Sequence, residues 1–290
     1  MQQNQTGWPM SYLRPHRLED ALEWLAAERP LVMAGCTDIY PLSQAPSLDG
    51  PLLDITALEE LRGIDLAAGW RRIGAATSWT DILQADLPPA YDGLKAAARE
   101  IGGVQIQASG TIGGNLCTAS PAGDSIPCLM SLDAEIELAS HQGTRRLPLA
   151  EFLTGARQTA RDGDELVVAI HVPTTAEAGR AGFEKLGARR YLVISIAMTA
   201  ARLVIHEGQI EAAAISVGAC APVAVRLADI EARLTDCPAD QATTCIRDSH
   251  ADIMAALSPI DDVRGTAGYR REAATELVTR LVGRLCEDAA

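Results

Sequence analysis

The stretch "QASGTIGGNLCTASPAGD", Gln107 to Asp124, crowds Gly110, Gly113 and Gly114 together with Thr111, Asn115, Thr118 and Ser120. A packed core takes large apolar side chains, and an ordinary surface loop carries more charge. What small residues offer instead is backbone. Glycine admits positive φ and lets successive N–H groups approach a ligand with no Cβ in the way. Several such groups facing one concavity form an anion-binding nest. Far upstream, "LVMAGCTD", Leu31 to Asp38, has the same character: an apolar run enters Gly35, and Thr37 and Asp38 stand where a helix start would be capped. A tight turn accounts for one such segment alone. Two of them, each entered from an apolar run, predict one shared ligand gripped at a diphosphate from both sides. Neither is a named nucleotide fingerprint, because no G-x-G-x-x-G follows a strand and no G-x-x-x-x-G-K-[ST] occurs. A Rossmann fold and a P-loop are therefore excluded.

The totals narrow the class. The chain has 290 residues, enough for two domains, and is 48% hydrophobic and 22% charged, as globular chains are. A net charge of −13 argues against a nucleic-acid partner or an acidic membrane surface, since phosphates call for clustered Lys and Arg. "MQQNQTGWPMSYLRP" at the start lacks the basic-then-apolar pattern of a signal peptide. No apolar run approaches the roughly 20 residues of a membrane span. A cytoplasmic protein with no membrane insertion is expected. Cys36, Cys117, Cys128, Cys220, Cys237, Cys245 and Cys286 are scattered with no C-x-x-C pair, and the histidines (His16, His141, His171, His206, His250) show no ligand spacing. Both patterns disfavour a disulfide framework, an iron–sulfur cluster or a metal, and point to an organic cofactor.

Hydrophobic periodicity organises the rest. "RLEDALEWLAAE" predicts an amphipathic helix ended by Pro30, and "LVMA" a short buried strand. "PLLDI" and "WRRIGAAT" read as strands, with Gly63, Asp65 and Gly69 in turns. "SWTDILQAD", capped by Ser78 or Thr80, and "YDGLKAAAREI" read as helices. "IPCLMSL" is a further helix, "AEIELAS" an alternating strand, and Gln142-Gly143 a hairpin turn. "ELVVAIHVP" is a strand, and "TTAEAGRAG" after it is taken as a domain boundary. Beyond it, "ISIAMTAARLVI" and "IEAAAISVGA" read as strands, and "VAVRLADIEARL", "CIRDSHADIMAAL" and "YRREAATELVTRLVGRL" as helices. The order fits a mixed α+β first domain and a smaller sheet-plus-helices second domain.

"AGCTD" and "TIGGNLCTASPAGD" resemble the FAD-binding medium subunit of the molybdenum hydroxylases, the family of xanthine dehydrogenase, carbon monoxide dehydrogenase and 4-hydroxybenzoyl-CoA reductase. The resemblance runs nearly the full length, through "RPHRLEDALEWLA", "LDAEIEL", "GFEKLGARR" and "DDVRGTAGYRR". It implies an α+β fold: a two-part FAD-binding domain of the vanillyl-alcohol-oxidase/PCMH-like type over residues 1–174, split near residue 58, then a C-terminal domain over residues 180–290 with a short antiparallel sheet and helices. It implies non-covalent FAD, its diphosphate held by Leu31, Val32, Met33, Ala34, Gly35, Cys36, Thr37 and Asp38 and by Thr111, Ile112, Gly113, Gly114, Asn115 and Thr118. Asp124 matches an acid on the adenosine or ribityl hydroxyls, Leu166 a residue near the ring system, and Lys185 a lysine close to the isoalloxazine, whose charge would favour the reduced, anionic flavin. A solvated helix-end lysine is the plain alternative for Lys185.

The family's division of labour implies a heterotrimer. In it a large subunit holds the molybdenum cofactor, a small subunit holds two [2Fe-2S] clusters, and this subunit passes electrons from the clusters to an external acceptor. No catalytic acid/base pair stands out in this chain, in keeping with that role. Cys36 replaces the second glycine of the family's A-G-G-T-D and is read as a substituted turn residue, not a nucleophile. Relatives that use NAD carry acids soon after the double arginine; Tyr191, Leu192 and Val193 stand there instead, which speaks against NAD. Arg264 and Arg271 are expected to pin the C-terminal helix. A self-contained FAD oxidase or reductase of the same fold is the competing reading. Such oxidases often attach flavin through a histidine near the first loop, and none stands there.

Overall fold

A computed structural model describes residues 12–43 and 48–288. The stretch 1–11, read above as free of a signal peptide, lies outside the described residues. Strand β1 (Tyr12–Leu13), helix α1 (Leu18–Glu28), β2 (Leu31–Met33), α2 (Ile39–Leu42) and β3 (Leu52–Asp54) make a small subdomain in which β3 lies between β1 and β2, parallel to both. In α1, Ala21, Leu22 and Leu25 recur at helical spacing and are buried with Leu53, Leu58 and Val168. Strand β2 is not the buried strand expected from "LVMA". Leu31 is exposed and Val32 and Met33 are half-buried, because Leu31 and Val32 border an open cavity.

A five-stranded antiparallel sheet follows. Its strands are β4 (Ile64–Ala67), β5 (Trp70–Gly74), β6 (Glu135–Ser140), β7 (Gly143–Pro148) and, beyond the short pair β8 (Leu153–Gly155) and β9 (Gln158–Thr159), β10 (Leu166–Pro173), in the order β4-β5-β10-β6-β7. Asp65, expected in a turn, lies inside β4; Gly63 and Gly69 beside it take the positive φ that turns need. The hairpin turn between β6 and β7 falls on His141 and Gln142, one residue earlier than expected. A bulge between Val167 and Ala169 in central strand β10 matters most. It aims Leu166 and Val168 at the small subdomain while Val167, Ile170 and Val172 face the helical side.

That side carries α3 (Trp79–Gln84), α4 (Asp92–Glu100), α5 (Val104–Ser109), α6 (Ile112–Thr118), α7 (Ser125–Ser131) and α8 (Leu149–Phe152). Ser78 caps α3 in a reciprocal box with Asp81. The small-residue segment, expected as a loop, is largely α5 and α6.

The second unit is an antiparallel sheet of β11 (Arg180–Leu186), β12 (Ala197–His206), β13 (Gln209–Gly218) and β14 (Val225–Arg226), in that order. Helices α9 (Ala228–Leu234), α10 (Ala242–Asp248), α11 (His250–Ala256) and α12 (Ala267–Glu287) bury one face of it, and α4 and α7 of the first unit pack on the other. Three local expectations change. "TTAEAGRAG" ends inside β11, "VAVRL" begins as β14, and Ser249 breaks "CIRDSHADIMAAL" into two helices. The second unit holds α7 at both ends. Asp124, before its first turn, is bonded by Lys185 and Ser195; at its last turn Arg226 donates to the Met130 carbonyl (2.6 Å) and Arg202 to that of Ser131 (2.9 Å). Arg264 pairs with Asp262 (2.7 Å) and donates to the Ser195 carbonyl (2.9 Å), and Arg271 donates to that of Leu257, fastening the start of α12. No helix among the described residues is long and apolar enough to cross a membrane.

Candidate functional site

The two small-residue segments meet backbone to backbone. A Cβ on Gly35 would stand 1.9 Å from the Ser109 carbonyl oxygen and 2.9 Å from the Gly110 Cα, so only glycine permits the approach. A cavity of about 430 Å³ opens beside this contact. Leu31, Val32, Ala34, Gly35, Cys36, Thr37 and Asp38 line it from one side, Thr111, Gly113, Gly114, Asn115 and Thr118 from the other, and Leu166 from β10. Met33 and Ile112 belong to the same segments but do not line it: Met33 pairs with Asp54 of β3, and Ile112 is buried in the core.

The segments serve the cavity differently. Among the described residues, no hydrogen bond takes up the backbone N–H groups of Gly35, Cys36, Thr37 and Asp38. Cys36 sits at φ 55° in the middle of this run, the left-handed conformation that makes a nest and that its family counterpart, glycine, adopts without strain. In the second segment the nest expectation fails. The N–H of Ile112 goes to the Thr77 carbonyl (3.1 Å), that of Gly113 to Ala75 (2.9 Å), and that of Gly114 to the Thr111 hydroxyl that caps α6 (3.1 Å). Neither Gly113 nor Gly114 has positive φ. They are small for contact: a Cβ would come within 2.7 Å of Ala75 at Gly113 and within 2.9 Å of Thr111 Oγ1 at Gly114. What α6 presents is a helical stripe, Thr111, Gly114, Asn115 and Thr118, with Ile112, Leu116 and Ala119 buried behind it.

Asp124 and Lys185 stand outside this lining and pair with each other at 2.7 Å, their side chains 8% and 9% exposed. Lys185 is therefore no solvated helix-end residue; it lies on β11. Burial pushes the Asp124 carboxyl above its usual range, while Lys185 and Ser195 draw it back. The pair adjoins the cavity through Ser125, whose hydroxyl donates to Asn115 Oδ1 (2.7 Å). Lys185 borders a second cavity of about 520 Å³ with Ala96 and Glu100 of α4, and the next residue, Ile101, lines the first.

Sequence reasoning missed Trp79, Ile101 and Ile106, which form an apolar wall, together with Cys117 and Arg161. A helical reading of the 111–118 stripe would have found Cys117, three residues after Gly114. Arg161, whose Nη1 donates to the carbonyls of Asp162 and Glu165, is the one Lys or Arg in the described lining. Burial raises the thiol of half-buried Cys36, and a protonated thiol suits a wall residue better than a nucleophile.

Amides without a partner among the described residues, a small-residue floor and an apolar wall are the features that suit a dinucleotide with an aromatic ring system. The profile of the FAD binding domain in molybdopterin dehydrogenase matches residues 8–175, and that of the CO dehydrogenase flavoprotein C-terminal domain matches residues 183–285. The putative xanthine dehydrogenase FAD-binding subunit of Escherichia coli K12 is 33% identical over 239 residues, covering 80% of this chain and 82% of that one. The glyceraldehyde dehydrogenase medium chain of Sulfolobus acidocaldarius is 30% identical over 267 residues, covering 90% and 93%. Among solved structures, a chain of the carbon monoxide dehydrogenase from Hydrogenophaga pseudoflava that lacks the Mo-pyranopterin moiety superposes with a TM-score of 0.86 at 26% identity, covering 94% of this chain and 96% of that one. The chain belongs to the family of FAD-binding subunits of the molybdenum hydroxylases, and FAD is its cofactor. It is an oxidoreductase subunit.

Proposed function

We propose that this chain is the electron-transfer subunit of a cytoplasmic heterotrimer, receiving electrons from an iron–sulfur partner and passing them to an external acceptor, while a large partner holds the molybdenum cofactor and oxidises the substrate. The observation that carries the reading is the cavity between the Gly35–Asp38 run and α6, with a row of amides on one side that have no partner among the described residues. When bound there, FAD supplies the redox chemistry, and the chain supplies position and field.

In this reading the amides of Gly35 to Asp38 donate to the diphosphate, which Arg161 neutralises further. Thr111, Asn115 and Thr118 bond its oxygens and adjoining hydroxyls from α6. Leu31, Val32 and Ala34 line the cavity ahead of that run, while Met33 and Ile112, packed behind, set the spacing of the two segments. Leu166 packs on the ring system with Ile101 and Ile106 and keeps water from it. Asp124 orients hydroxyls of the cofactor, and Lys185 presents its ammonium group to the ring. No histidine lines the described cavity, which supports non-covalent attachment. Seven free thiols support a reducing compartment. Tyr191, Leu192 and Ile194 are each more than half exposed, an apolar surface without the acids that NAD-using relatives carry, which favours another acceptor.

The test uses the full chain, reconstituted with FAD. It should take up one FAD, release it unmodified in acid, and turn over no purine, aldehyde or N-heterocycle until both partner subunits are added. Failure to hold FAD rejects the site, and turnover by this chain alone makes it a self-contained oxidase or reductase.

A further inference from the structure

Ser195 is fully buried, and its hydroxyl donates to Asp124 Oδ1 at 2.6 Å. The other carboxylate oxygen, Oδ2, accepts from Lys185 Nζ at 2.7 Å, and Nζ also donates to the Val193 carbonyl at 3.2 Å. Those two bonds leave one ammonium hydrogen free, and Lys185 borders the second cavity beside Glu100, whose neighbour Ile101 lines the first. Ser195 is itself held fast: its carbonyl accepts from Arg264, and the next carbonyl, Ile196, from the buried Arg270. The "DDVRGTAGYRR" motif therefore ends, through Ser195, on the carboxylate that faces Lys185.

We infer that Ser195 is a positioning residue that sets how much of the Lys185 charge reaches the cofactor. The inference rests on the reading above that puts Lys185 beside the flavin ring. A carboxylate in a dry site distributes its charge over the donors it has. With Ser195 satisfying Oδ1, Asp124 leans on Lys185 through Oδ2 alone, and the ammonium keeps its field toward the ring. Without that hydroxyl, Oδ1 is a buried acceptor with no partner. Asp124 then turns more of its charge onto Lys185 and weakens what the ammonium offers the cavity. The reduced cofactor carries one more negative charge than the oxidised one, so it loses more of its binding.

The experiment is a redox titration of the FAD-reconstituted full chain at pH 8, comparing wild type with Ser195→Ala, Ser195→Cys and Lys185→Met. Ser195→Ala should retain FAD at wild-type stoichiometry but favour reduced over oxidised cofactor about tenfold less. For a two-electron couple that is a midpoint about 30 mV more negative. Ser195→Cys, with a weaker donor in nearly the same volume, should fall between, and it carries the test if the alanine variant does not fold. Lys185→Met should shift the midpoint furthest in the same direction. An unmoved or more positive midpoint in the serine variants, with Lys185→Met displaced, overturns the inference. An unmoved midpoint in Lys185→Met removes the lysine from the ring and overturns the inference with it, whereas a wild-type chain that takes up no FAD overturns the proposed function itself.

Discussion

The Gly35–Asp38 run and helix α6 are built from the same small residues, and their backbones are in opposite states. In the first, the amides find no partner among the described residues and Cys36 is held at φ 55°. In the second, the amides of Ile112, Gly113 and Gly114 are all bonded, two of them to the Ala75–Thr77 segment. Glycine is there because neighbouring atoms leave no room. One wall of the cavity thus presents main chain and the other presents side chains on a helix. Small residues in a sequence therefore report either donors offered or space denied.

Substitutions can separate the two walls. Gly35→Val should have the largest effect. Its side chain would drive into the Ser109 carbonyl and part the walls, costing about 3 kcal/mol and weakening FAD more than about 100-fold. Fluorescence titration with FAD checks this, and wild-type affinity in that variant would mean the walls do not depend on their contact. Gly114→Val comes next. It projects into the cavity beside Thr111 Oγ1, so an expected loss of about 2 kcal/mol, some 30-fold, should appear in FAD affinity more than in the apoprotein's melting temperature. A drop in melting temperature with affinity intact would make Gly114 a packing residue like Gly113.

Thr111→Val removes the hydroxyl that caps α6 and should cost about 1 kcal/mol in urea unfolding of the apoprotein. No change would show that the Ala75–Thr77 bonds hold the helix start unaided. Cys36→Gly is the smallest change and the one expected to stabilise. It relieves the strain of a left-handed backbone that carries a Cβ, worth about 1–2 kcal/mol, offset in part by glycine's greater chain entropy, for a net gain of about 1 kcal/mol. A loss of stability would mean that the Cys36 contact with the Ala34 carbonyl outweighs the strain.

Elements specified by their own residues were legible in the sequence. The Ala21, Leu22, Leu25 stripe marked α1, Ser78 and Thr80 marked the start of α3 and Ser78 is the cap, and alternation marked β6. Elements fixed from a distance were not. Glycine is a poor helix former, so "IGGN" read as loop, yet α6 forms because Thr77 and Ala75 accept its first amides. Asp65 looked like a turn residue between two glycines, but its pairing with Arg72 makes it part of a strand. A solvated helix-end position stayed open as the alternative for Lys185 because its counter-charge, Asp124, is 61 positions away. At the cavity, the two glycine-bearing segments were visible as motifs. The apolar wall and Arg161 come from elements with no motif, so only the fold gathers them.

The grip of the C-terminal unit on both ends of α7 bears on how the polypeptide can be divided. The boundary between its two recognisable segments, near residues 175–183, invites a cut there. A fragment ending at that point would lose Arg202 and Arg226 from the last carbonyls of α7 and Lys185 from Asp124, baring a carboxylate and a helix end at once. Separated there, the first segment forfeits the bonds that fasten α7 at both ends, and the polypeptide divides poorly at the point where its two segments are most easily told apart.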